Sequence, residues 1–161
     1  MDMTKPDFVY VTYIATTPEK VWQALVDTDV MRQYWCGLST DCPGYVNVSD
    51  WQPGSRWEHQ PMDGSGEARI VGTVIESRAP RRLVYTWARP TDAEDASKHS
   101  QVAFDIEPHT DGLVRLTVTH TDLERDPEML AGVSGGWPKV LSNLKTLLET
   151  GQVLPGSPSR V

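Results

Sequence analysis

A chain of 161 residues is the size of about one domain and can bury roughly two-thirds of the surface its unfolded form exposes. The net charge of -7 and isoelectric point near 5.0, with basic residues scattered and densest only at Arg81-Arg82, exclude the basic stripe that a nucleic-acid surface needs. No run approaches the roughly 20 apolar residues of a membrane span, residues 1–6 are polar with no apolar signal core, and Cys36 and Cys42 make no disulfide framework. The expectation is a cytoplasmic protein with free thiols.

In chain order, residues 8–14 are β-branched and aromatic and read as a strand. A helix follows, with Thr17 as N-cap, Pro18 at the first helical position, and Val21, Trp22, Leu25 and Val26 on one face, ending near Asp27. Asp29 is expected to cap a second short helix through Met31 and Tyr34 that finishes at Cys36-Gly37, and residues 38–44 read as loop. Strand and turn signals then alternate as in an antiparallel meander: strands over 45–51, 56–61, 68–77, 83–88, 99–107 and 113–122. Gln52-Pro53-Gly54-Ser55 and Asp63-Gly64-Ser65-Gly66 are turns, and the polar insert 89–98 reads as an exposed loop.

Asp126-Pro127-Glu128 opens the C-terminal helical region, where Trp137, Val140, Leu141, Leu144, Leu147 and Leu148 recur at spacings of three and four and Gly151 supplies the stop. Pro138 removes a backbone donor, which places the start of the main helix, or a kink, near Gly135-Gly136. The organisation expected is a lead-in over 1–7, one domain over 8–150 and a frayed tail over 152–161, with too few apolar groups to fold.

This order of elements is that of the helix-grip (START-like, SRPBCC) fold: an α+β domain whose curved antiparallel sheet of about six to seven strands wraps a long C-terminal helix, with two short helices after the first strand. The segments Thr17-Pro18-Glu19-Lys20-Val21-Trp22-Gln23-Ala24-Leu25, Pro53-Gly54-Ser55-Arg56-Trp57, Pro80-Arg81-Arg82-Leu83-Val84-Tyr85-Thr86-Trp87 and Gly136-Trp137 with the Leu-rich end closely resemble a bacterial family. That family is similar to the C-terminal domain of the heat-shock protein 90 ATPase activator. The resemblance covers roughly residues 8–150 and implies the fold; function has to come from the site.

Alternation puts Val114, Leu116, Val118, His120 and Asp122 on one face of the last strand, Val102, Phe104 and Ile106 on its neighbour, and Leu83, Tyr85 and Trp87 on the next. Facing the stripe of Trp137, Leu141, Leu144 and Leu148, these residues would line a cavity with few polar groups. The ligand-binding candidates are Trp57, His59, Tyr85, Trp87, Phe104, His120, Trp137 and Leu141. The opposing reading, that they merely fill the core, uses the same residue types.

His120 has the ordinary pKa range of a general acid or base, and Asp122 lies two residues away on the same strand face, so a His-Asp contact is permitted. Other catalytic signatures are missing. There is no nucleophile elbow, Cys36 ends a predicted helix where polarity disfavours an activated thiolate, and the glycines make no phosphate or dinucleotide fingerprint. No cofactor is implied, and four scattered histidines carry no metal-ligand spacing.

The preferred expectation is a monomer or homodimer that binds a small hydrophobic or aromatic molecule between sheet and helix. One alternative is a cyclase, dehydratase or hydrolase using His120 or Tyr85. The other is an interaction protein, with a chaperone among its partners, acting through an apolar patch on the Val21/Leu25 helix or the edge strand 8–14.

Overall fold

A computed structural model describes residues 7–39 and 43–157. Thr17 caps α1 (Pro18–Val26), its hydroxyl accepting from Lys20 N at 3.3 Å, with Pro18 at N1 where the missing N–H costs nothing. The second helix, α2 (Thr28–Tyr34), is capped by Asp27 rather than the expected Asp29, because the Asp27 carboxylate accepts from Asp29 N at 2.8 Å. One residue thus ends α1 and starts α2.

Seven antiparallel strands form one curved sheet: β1 (Phe8–Ile14), β2 (Tyr45–Ser49), β3 (Arg56–Pro61), β4 (Ile70–Arg78), β5 (Arg82–Trp87), β6 (Ser100–Pro108) and β7 (Val114–Thr121). Their order is β1-β7-β6-β5-β4-β3-β2, so β1 crosses to pair with the last strand and every other neighbour is a simple hairpin or meander step. Alternation is clean on β7, where Val114, Leu116, Val118 and His120 are buried and the residues between them are half-exposed. It stops at Asp122, whose positive φ of 64° takes it out of the strand register. The insert expected as a loop contains two 3-10 turns, Pro90–Asp92 and Ala96–Lys98.

The long helix α3 spans Pro127–Thr150, so the main helix starts at Pro127 and not, as one of the two expectations had it, near Gly135-Gly136. Pro138 sacrifices one backbone bond, but a single face carrying Val133, Trp137, Val140, Leu141 and Leu144 runs through it into the core. At its N-terminus Asp126 caps Met129 N at 2.9 Å and pairs with Arg89 just beyond β5, tying the helix start to the sheet.

The segment after Gly151 also differs from the expected frayed tail. Val153 and Ser157 are buried, and fully buried Asn143 on α3 accepts from Leu154 N at 2.7 Å and donates to Ser157 Oγ at 2.7 Å and to Tyr34 O at 3.0 Å. One amide side chain therefore joins α2, α3 and the last described residues. Cys36 is a buried free thiol beside the same group, while Cys42 and residues 158–161 lie outside the described residues. Among the described residues no helix is long and apolar enough to cross a membrane.

Candidate functional site

Aromatic residues from β3, β5, β6 and α3 meet where the sheet curls around the helix. Trp57 on β3 stands opposite Gly72 on β4, and its indole N–H reaches over that glycine to donate to Thr86 O on β5 at 2.7 Å. Ring centroids then follow one another closely: Trp57 to Tyr85 4.4 Å, Tyr85 to Phe104 5.6 Å and Phe104 to Trp137 5.8 Å. Trp57, Tyr85, Phe104, His120 and Leu141 are almost fully buried, and all but the histidine belong to one apolar cluster.

At the margin of this packing an open cleft of about 230 Å³ remains, walled by Trp35, Trp87 and Trp137 together with Met129, Val133 and Val140 and floored along α3 by Gly132 and Gly136. Of the eight sequence candidates, Trp87 and Trp137 line it directly. His59 stands behind them. Trp35, His59, Trp87 and Trp137 close into a ring of contacts with successive centroid separations of 5.7, 6.2, 5.7 and 5.6 Å. The sequence reading omitted Trp35, Met129, Gly132, Val133, Gly136 and Val140 from the candidates. Val140 was visible in the helical stripe, whereas the spacing of Gly132 and Gly136, one helical turn apart, has meaning only if α3 extends upstream of Pro138.

His120 is held from both sides. Trp137 Nε1–H donates to its Nδ1 at 3.1 Å, so Nδ1 is the acceptor and the proton of the neutral ring sits on Nε2, which faces Ser100 Oγ at 2.8 Å. Ser100 in turn donates to Trp87 O at 3.2 Å. Burial lowers the His120 pKa to about 4, keeping the ring neutral at pH 7. Both ring nitrogens of His120 are taken by Trp137 and Ser100, and Asp122, with its φ of 64°, leaves the strand register that permitted a contact. Ser100 Oγ accepts a hydrogen bond from His120 Nε2–H and donates its own to Trp87 O, the reverse of an activated nucleophile.

His59 forms a cross-strand pair with Asn47, its Nδ1 lying 2.7 Å from Asn47 Oδ1. It stacks on Tyr45 at 4.5 Å, and burial lowers its pKa to about 4. Tyr85 is raised in pKa, first by burial and then by nearby Tyr34. Among the described residues no group of three or more His, Cys, Asp or Glu is placed to hold a metal ion.

A family model described as "Activator of Hsp90 ATPase homolog 1-like protein" matches residues 15–149. Three solved structures share the fold. An HSP90 activator from Plasmodium falciparum is 20% identical, with a TM-score of 0.66 and coverage of 88% of this chain and 95% of that one. The Aha1 dimer from Colwellia psychrerythraea is 19% identical, TM-score 0.69, covering 91% and 98%. A protein from Cytophaga hutchinsonii is 25% identical, TM-score 0.67, covering 89% and 94%. No protein of curated function matches the chain.

Proposed function

The chain belongs to the family of Activator of Hsp90 ATPase homolog 1-like proteins, and on that premise we propose that it binds a small apolar or aromatic molecule in the cleft between α3 and Trp35, Trp87 and Trp137. The observation that carries this reading is the pair Gly132 and Gly136. Each costs a helix interior about 1 kcal/mol relative to alanine, yet a Cβ at either position would meet nothing within 4 Å. No close approach inside the protein asks for glycine there, and both residues border the cleft, where their missing side chains keep the space open. At about 230 Å³ the cleft is smaller than the roughly 300–1,000 Å³ of drug-sized sites, which favours an occupant of one or two rings. Titration with 1-methylnaphthalene, followed through the indole N–H signals, should shift Trp87 and Trp137 saturably; unmoved signals at the solubility limit would count against the reading.

The enzyme alternative receives less support, because neither nitrogen of His120 is free to exchange a proton with a ligand. A second binding mode has one specific observation in its favour. On the edge strand β1 the outward residues Val9, Val11 and Tyr13 are 59%, 48% and 41% exposed, an apolar row on a sheet margin. The other surface named from the sequence is unsuitable, since Val21 and Leu25 of α1 are buried. If β1 docks a chaperone or a second copy of the chain, Val11→Lys should abolish that association without altering the cleft; unchanged association would dismiss it.

A further inference from the structure

We infer that two copies of this chain pair their β1 strands antiparallel, about a two-fold axis at Tyr10, and so join their sheets into one. This rests on the edge-strand reading above and commits it to one occupant, a second copy of the chain. The direction of the backbone groups carries the argument. In an antiparallel ladder the N–H and C=O of one residue point to the same side, and those of the next residue point to the other. Ile106 N donates to Arg81 O at 2.8 Å, so even-numbered residues of β6 bond toward β5 and odd-numbered ones toward β7. Carried through the registers of β6 with β7 and of β7 with β1, this makes Phe8, Tyr10, Thr12 and Ile14 the residues bonded to β7. The backbones of Val9, Val11 and Tyr13 therefore face away from the sheet. Lys145 on α3 shows the same direction, since its Nζ donates to Tyr13 O at 2.7 Å from outside the ladder.

The two margins of the sheet are treated differently. Along β2, Tyr45 N donates to Trp35 O at 2.9 Å and Asn47 N meets Met31 Sδ at 3.3 Å, so α2 and the residue after it cover that edge. Along β1, Lys145 and Glu149 occupy only the far end, at Tyr13 O and Ala15 N, and among the described residues nothing bonds the outward N–H and C=O of Val9 and Val11. The strand has no proline, glycine or charged residue and pairs with β7 over its whole length without a bulge, so it lacks the devices that protect an edge. One open edge per chain favours a second copy, because like edges paired antiparallel close into a dimer and leave nothing to extend a filament. With Tyr13 O already taken, the register that uses the open groups sets Val9 opposite Val11 of the second copy, on both sides of the axis, each pair exchanging its N–H···O bonds. The exposed valines of the two copies then meet on the outer face. Exposed Asp7 falls opposite Tyr13 of the other copy, which brings its carboxylate toward the Lys145 ammonium there.

Sedimentation equilibrium of the full chain at rising concentration should take the mass from 18.0 kDa to twice that value. Amide exchange at both ends of the range reads the register: Val9 and Val11 should slow by about tenfold or more in the dimer, while Tyr10 and Thr12, bonded to β7, stay slow throughout. Val11→Pro removes one of the pairing N–H groups at an edge position, where proline is tolerated, and should remain monomeric; exchange in the unaltered protein decides the matter should that variant fail to fold. A dimer whose Val9 and Val11 amides stay fast, or protection of these amides that persists in the monomer, would overturn the inference. So would a chain that stays monomeric at every concentration. Purified Hsp90 added to that monomer separates the two failures: protection of Val9 and Val11 would overturn the dimer and leave the edge-strand reading standing, and unchanged exchange would overturn both.

Discussion

Trp137 on α3 and His120 on β7 are joined by an indole N–H that donates to Nδ1 at 3.1 Å, and this bond fixes the tautomer of a fully buried histidine. It also ties the long helix to the sheet where the cleft begins. Replacing Trp137 by Phe keeps an aromatic ring in place but strands the Nδ1 lone pair. Stability should fall by about 1–3 kcal/mol, and the imidazole nitrogens of His120 should no longer show a single tautomer by NMR.

The two buried histidines give stability a defined pH dependence. Both have folded-state pKa values lowered to about 4, against about 6.5 in an unfolded chain. The unfolded state therefore binds more protons between these values, so the contribution is complete above pH 6.5 and is lost as pH falls toward 4, by about 3 kcal/mol at most for each residue. The lowered pKa values of carboxylates such as Asp126, held down first by its hydrogen bond from Arg89, act at still lower pH. Urea midpoints should decline steadily from pH 6.5 to 4; a flat profile over that window would contradict the neutral, buried assignment.

Gly72 is needed for a reason of space. A Cβ there would sit 1.9 Å from Thr86 O and 2.4 Å from Trp57 Nε1, colliding with the donor and acceptor of the bond that seats Trp57. Because the nearer atom is backbone, relaxation is limited, and Gly72→Ala should cost about 2–4 kcal/mol in equilibrium unfolding.

Asn143 predicts a local effect. Asn143→Leu removes its bonds to Tyr34 O, Ser157 Oγ and Leu154 N at once. Hydrogen exchange should become fast at Leu154 and Val153 while the centre of β7 stays protected, with a global loss of about 2–4 kcal/mol.

The sequence made the sheet and α1 readable because their signals are local: period-two alternation on β7 and β6, Thr17-Pro18 at a helix start, turn residues between strands. What escaped it depended on partners far along the chain. Pro138 argued for a break that distant burial along α3 outweighs, and that misreading hid Gly132 and Gly136. On β2 Asn47 is fully buried while Val48 is 44% exposed, because the amide is paired with a cross-strand histidine that the sequence alone does not place. Tail residues 152–157 look too polar to pack, and their anchor is one buried asparagine that no local rule identifies. Of the candidate site residues, the cluster was legible by face, but which of them border open space depended on how tightly the rings fill the interior.

The central claim, that open space beside α3 is a binding site, is tested most directly by filling it. Gly136→Leu adds a side chain where a Cβ meets nothing within 4 Å and raises helix propensity by about 0.5–1 kcal/mol. Calorimetry with 1-naphthol should show saturable binding to the unaltered protein and none to Gly136→Leu, whose Tm is equal or higher. Equal binding by the two proteins, or none by either, would contradict the claim.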